Sequence, residues 1–176
     1  MTSRELFLGL VIGLAIQRLA ELRLSRAHER RLLAKGAYEV GAEHFPWMRA
    51  LHIGWFAAML VEVYWGGAAP QPLAVAAGLV GLLAGQALRY AAILSLGSRW
   101  TVRVLVLPGE PQVTSGIYRY LRHPNYLGVC LELASVPLLH GAYGSALLFS
   151  GLNLLILRRR IQVEEAALAA AGSARP

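Results

Sequence analysis

Residues 73–96, LAVAAGLVGLLAGQALRYAAILSL, decide the class of this chain. The run exceeds the roughly 20 apolar residues that cross the hydrocarbon of a bilayer, and Arg89 is its one charged side chain. Working outward, four more apolar runs fall at 6–24, about 47–65, 124–139 and 142–157. The composition agrees: of 176 residues, 56% are hydrophobic and 15% charged, against about 25% charged in a typical soluble domain. Mean hydropathy is +0.49. The expectation is an all-α integral membrane bundle of about five transmembrane helices, forming a single domain over 1–176. The runs at 124–139 and 142–157 would each be about 24 Å long as helices, and they read as a short hairpin joined by the HGAYG turn.

The charges orient the bundle. There are 17 Lys and Arg against 10 acids, every one a Glu, and the basic residues cluster between the runs. Arg23, Arg26, Arg30, Arg31, Lys35 and Arg49 follow or flank the first connection. Arg99, Arg103, Arg119 and Arg122 fall in the polar segment 97–123, and Arg158 to Arg160 close the last run. The connection 66–72, GGAAPQP, has no charge. Cytoplasmic loops collect Lys and Arg, so the N-terminus is expected outside, the C-terminus inside, and any site near the basic loops cytoplasmic. The segments 36–48 and 97–123 read as loops, and the Ala-rich tail after Glu165 as frayed.

Several function classes lose their carrying motif. Basic charge alone suggests nucleic acid, yet no stripe of exposed aromatics accompanies it, so no nucleic-acid partner is expected. No G-x-S-x-G elbow, P-loop or G-x-G-x-x-G turn occurs. Glu39, Glu43 and His44 lack further ligands at metal spacing, and no metal is expected. Cys130 reads as a small buried hydrophobe.

Ionisable groups within lipid need a partner, water or a function. Gln17 with Glu21, His52 with Glu62, and Gln86 with Arg89 read first as polar contacts between helices. Asn125, Gly128, Glu132 and Ser135 share one helical face, as do Asn153, Arg160 and Glu164. If the hairpin helices pack side by side, those two stripes would converge on one polar cavity. Arg89, Asn125 and Asn153 are then candidate substrate contacts. Glu132 is the first candidate for a general base and His123 the second, while a buried ion pair of Glu132 with Arg89 or Arg160 is the alternative.

The string GIYRYLRHPNYLG at 116–128, followed by RRRIQVEEAAL at 158–168, resembles the isoprenylcysteine carboxyl methyltransferase family of integral-membrane methyltransferases. One departure is Gly116-Ile117-Tyr118, where many relatives have Gly-Pro-Tyr. The resemblance implies S-adenosylmethionine as cofactor, bound by a core at 97–168 in which Arg122, His123, Tyr126, Glu164 and Glu165 line the pocket. It also implies a lipophilic small-molecule acceptor arriving from the membrane lipid. GAYEVGAEHFPWM at 36–48, LRYAAILSLGSRWTVRVLVLPG at 88–109 and Glu132 look like a narrower branch that methylates alkylpyrones and alkylresorcinols, which implies a type III polyketide synthase as pathway neighbour. Prenylcysteine carboxyl methylation, lipid-amine methylation and a non-catalytic transporter or scaffold are the alternatives at this stage.

Overall fold

The computed structural model describes residues 2–66 and 68–172. Gly67 of the uncharged connection and the end of the Ala-rich tail, 173–176, therefore lie outside the described residues. Among the described residues five α-helices form: α1 (Ser3–Ala34), α2 (His44–Val61), α3 (Pro72–Leu96), α4 (Pro124–Leu138) and α5 (Tyr143–Ala170). Their starts follow local chemistry. Thr2 and Glu5 close a reciprocal capping box on α1, satisfying two amides that a helix end leaves bare. Pro72 and Pro124 open α3 and α4, where the missing proline N–H costs nothing.

Three expectations are corrected. The chain is not all helix: β1 (Tyr38–Val40) pairs antiparallel with β2 (Val104–Val106), Glu39 opposite Leu105. Both strands fall in segments read as loops, because runs of three residues are too short to show the alternation that marks a strand. The last helix does not stop at the arginines. It continues through Glu164 and Glu165 to Ala170, since Arg, Gln, Glu and Ala all favour helix, so only α4 is a short arm. Likewise α1 runs ten residues past its apolar segment. A π-helical turn, Glu62–Gly66, ends the second run.

Among the described residues, one stretch, Pro72–Arg99, is long and apolar enough to cross a membrane. It packs closely on α4 because both helices expose glycine at the seam. A Cβ on Gly128 would stand 2.8 Å from the Gly85 carbonyl oxygen, and one on Gly85 would stand 2.9 Å from that of Gly128. The core within the bundle gathers Phe7, Val11, Leu51, Trp55, Met59, Leu82, Leu133 and Phe149. Pro137 deprives the Leu133 carbonyl of its helical donor, and the Trp55 indole N–H supplies one from α2 at 3.1 Å. Outward faces carry large apolar side chains instead, among them Ile16, Ile53, Leu83, Leu94 and Leu147.

At the end of the bundle away from the strands, Glu62 reaches across to the start of α5. Its carboxylate accepts the backbone N–H groups of Gly144 at 2.9 Å and Ser145 at 2.7 Å. A negative charge there satisfies bare amides and complements the helix dipole.

Candidate active site

The polar cavity lies where the foot of α5, the start of α4, the segment before it and strand β2 meet. It has a volume of about 450 Å³, within the range of small-molecule pockets. All five residues expected to hold a cofactor, Arg122, His123, Tyr126, Glu164 and Glu165, line it. They come together because α5 continues past its arginines and brings its two carboxylates beside the R-H-P-N-Y turn.

The turn is built by Pro124. It bars His123 from helical backbone angles, and His123 sits at φ −129°, ψ 59° with its ring stacked on Tyr126, centroids 5.4 Å apart. His123 Nε2 lies 3.1 Å from Glu165 Oε1. The Tyr126 hydroxyl donates to Glu164 and accepts from Arg160 Nε at 2.8 Å. Arg160 is buried, and its other nitrogens reach Met48 Sδ and the Val102 carbonyl. Acid, phenol, guanidinium and backbone thus form one connected set that fixes the wall of the cavity. Burial, with the Glu164 carboxylate nearby, holds the Tyr118 phenol above its ordinary range. It stays protonated as a potential donor on the same wall.

Sequence reasoning assigned no role to Tyr118, Arg99 or Arg103, which also line the cavity. Tyr118 lies inside the quoted 116–128 string and was legible there. The arginines were read only as orientation signals.

The two stripes on α4 and α5 do not converge. Gly128, Glu132 and Ser135 face α3, where they meet Gly85, Arg89 and Gly81. Glu132 is 1% exposed and lines no part of the cavity. Its oxygens accept from Gln86 at 2.6 Å and from Arg18, and Arg89 Nε is 3.5 Å away. Arg89 also pairs with Glu21. The structure therefore places Glu132 and Arg89 in a buried cluster joining α1, α3 and α4, with Arg18 rather than Arg160 as the added cation. A helix face wide enough to touch both neighbours cannot be assigned to one of them by spacing alone.

Asn153 sits on the other side of α4, its amide donating to Cys130 Sγ at 3.3 Å. The Oδ1 atoms of Asn125 and Asn153 are buried with no donor among the described residues. A second, more open groove runs between α4 and α5, lined by Leu127, Cys130, Leu154, Leu157 and Ile161. It shares His123 and Tyr126 with the polar cavity, so an apolar channel and a charged pocket meet at one pair of rings.

The fold is thus a helical bundle in which a charged pocket and an apolar groove adjoin. Residues 76–170 match the Isoprenylcysteine carboxyl methyltransferase (ICMT) family, and the chain belongs to that family of methyltransferases. It is 37% identical over 165 residues to the uncharacterized protein YpbQ of Bacillus subtilis, covering 93% of this chain and 96% of that one. An uncharacterized protein of Haemophilus influenzae is 33% identical over 156 residues, 86% of this chain and 88% of the other. The protein-S-isoprenylcysteine O-methyltransferase of Schizosaccharomyces pombe is 36% identical over 89 residues, 49% of this chain and 38% of that protein.

Proposed function

We propose that the chain is an S-adenosylmethionine-dependent O-methyltransferase acting on a lipophilic acceptor. The observation that carries this reading is the convergence of Arg122, His123, Tyr126, Glu164 and Glu165 on one cavity. The donor set fits the cofactor. Carboxylates accept from ribose hydroxyls or an ammonium, and Arg122 would pair with the cofactor's carboxylate. When bound, S-adenosylmethionine supplies a methyl group on a positively charged sulfur, for in-line transfer to the acceptor oxygen.

The chain's own part is positioning and proton handling. Holding donor and acceptor collinear can supply much of the rate, and the groove between α4 and α5 would deliver an acceptor's head to His123 while its apolar tail stays against leucines. For a hydroxyl acceptor, His123 takes the proton, its ring held by Tyr126 stacking and its Nε2 oriented by Glu165. That step uses no carboxylate outside the cavity. Glu132, with both oxygens engaged by cations and an amide, is assigned to holding α1, α3 and α4 together. Asn125 and Asn153 line neither the cavity nor the groove and are given no part in binding the acceptor, and Arg89 is taken up by its two glutamates.

An alkylpyrone or alkylresorcinol lipid from a type III polyketide synthase is the acceptor we favour, on the strength of the N-terminal strings at 36–48 and 88–109. The fission yeast relative's name favours a second reading, a prenylated cysteine carboxylate, which is ionised already and needs no base. All five helices are read as spans, N-terminus outside and C-terminus inside, because the basic residues lie at the cavity end. The protein in nanodiscs, given methyl-labelled S-adenosylmethionine with each acceptor in turn, should yield a labelled methyl ether of the polyketide lipid. A methyl ester of prenylcysteine would select the second reading, and absence of both cofactor binding and transfer would overturn the methyltransferase reading.

A further inference from the structure

One wall of the cavity comes from the β1–β2 ribbon and the chain beside it. Strand β2 and its flanks contribute Thr101, Val104, Leu105 and Leu107, while Leu32 of α1 and Ala37 just before β1 add two residues from outside the segment that matches the family. What holds that wall in place is a cluster centred on Arg103. Its Nη1 donates to Glu39 on β1 at 2.6 Å, its Nε lies 3.9 Å from Glu29 on α1, and its guanidinium stands 5.0 Å from the Phe45 ring centroid at the start of α2. Three separate elements are thereby fastened to one side chain.

The fastening continues inward. Glu29 accepts from the Ser25 hydroxyl at 2.5 Å, and the Ser25 oxygen accepts the Val102 backbone N–H at 2.8 Å. The Val102 carbonyl accepts from Arg160, which in turn holds Tyr126. His28 Nδ1 lies 2.8 Å from the Trp100 carbonyl and adds a second tie from α1. A continuous path of polar contacts thus runs from Glu39, outside the cavity lining, to the phenol inside it.

We propose that the Glu29–Arg103–Glu39 cluster is a latch that keeps the β1–β2 ribbon closed over the cavity and so sets how fast the charged ligand leaves. This rests on the reading of the cavity as the S-adenosylmethionine site. Glu29 and Glu39 are positioning residues, acting through Arg103 and the ribbon. The Arg103 side chain is 41% exposed and the Glu39 side chain 24%, so the outer half of the latch is open to screening by salt.

The test is dissociation of labelled S-adenosylmethionine from the full chain in nanodiscs, chased with unlabelled ligand at low and high salt. Glu39→Gln should release ligand about fivefold faster, the effect of losing one partly exposed ion pair. KM for the cofactor should rise with it while kcat stays the same. In the unaltered protein, added salt should speed release toward the variant's rate, and in Glu39→Gln the salt dependence should shrink. That salt response decides the matter even where the variant folds poorly, and a purely structural contact would not produce it. Equal release rates and equal salt responses in both proteins would overturn the latch. Failure of the unaltered protein to bind S-adenosylmethionine would overturn the site reading instead, and the latch with it.

Discussion

Glu165 and Glu132 are both glutamates on helices, yet they face opposite fates. Glu165 lies at the cavity within reach of His123. Glu165→Ala should therefore cut S-adenosylmethionine affinity by about tenfold or more, the scale of a lost charge-assisted hydrogen bond, with melting behaviour unchanged. Titration calorimetry on the purified variant checks this, and undiminished affinity would remove Glu165 from the cofactor contacts. Glu132 pairs with two arginines inside the bundle. Glu132→Gln leaves an uncompensated cation there and should cost about 3 kcal/mol of stability. The fraction that folds should still bind cofactor and turn over, so a folded variant with normal affinity and abolished transfer would restore Glu132 as the base. The R-H-P-N-Y turn and the E-E pair were grouped through their resemblance to family motifs, and the structure brings them onto one cavity. The environment of Glu132 was not, since Arg18, its partner, lies 114 residues away along the chain.

At the scale of elements, apolar length was the readable quantity. The runs at 73–96 and 124–139 match α3 and α4 almost to the residue, because proline opens each and the polar segment stops α3. The helical extensions of α1 and α5 carry charge and lose the hydropathy signal, although their side chains favour helix. The two strands exist through pairing with one another across a long sequence separation, which a local pattern cannot display. The α3–α4 seam offers a direct check. Gly128→Ala would place a methyl 2.6 Å from Arg89 Cγ and 2.8 Å from the Gly85 oxygen. Overpacking of this kind typically costs about 1–3 kcal/mol, so thermal unfolding in detergent should shift down, while Gly13→Ala on α1, where nothing lies within 4 Å, should not lower it, since Ala favours helix over Gly.

Across the whole molecule, charge divides the two ends. Arg26, Arg30, Arg31, Arg119, Arg122, Arg158 and Arg159 lie toward the cavity, whereas the described residues of the connection 66–72 carry no charge. The orientation proposed above predicts one-sided chemistry. In a Cys130→Ser background, Lys35→Cys should react with an impermeant thiol reagent only when the cytoplasmic face is opened, and Ala69→Cys should react in intact cells. The reverse pattern would invert the topology. Labelling of both from one side would show that α2 between them does not cross.

The carboxylate of Glu62 grips the first amides of α5, and the carboxylates of Glu164 and Glu165 stand on the same unbroken helix about 30 Å further on. A rod clamped at one end sets the height and heading of everything bolted to the other. Removing a single residue from its midsection, at Leu152 for instance, would wind the far end round by about 100° and draw it back about 1.5 Å. Both carboxylates would then swing off the cavity wall even though no atom near it had been altered. The length of α5 is in this sense a calibrated dimension of the catalyst, read off at one face of the bundle and used at the other.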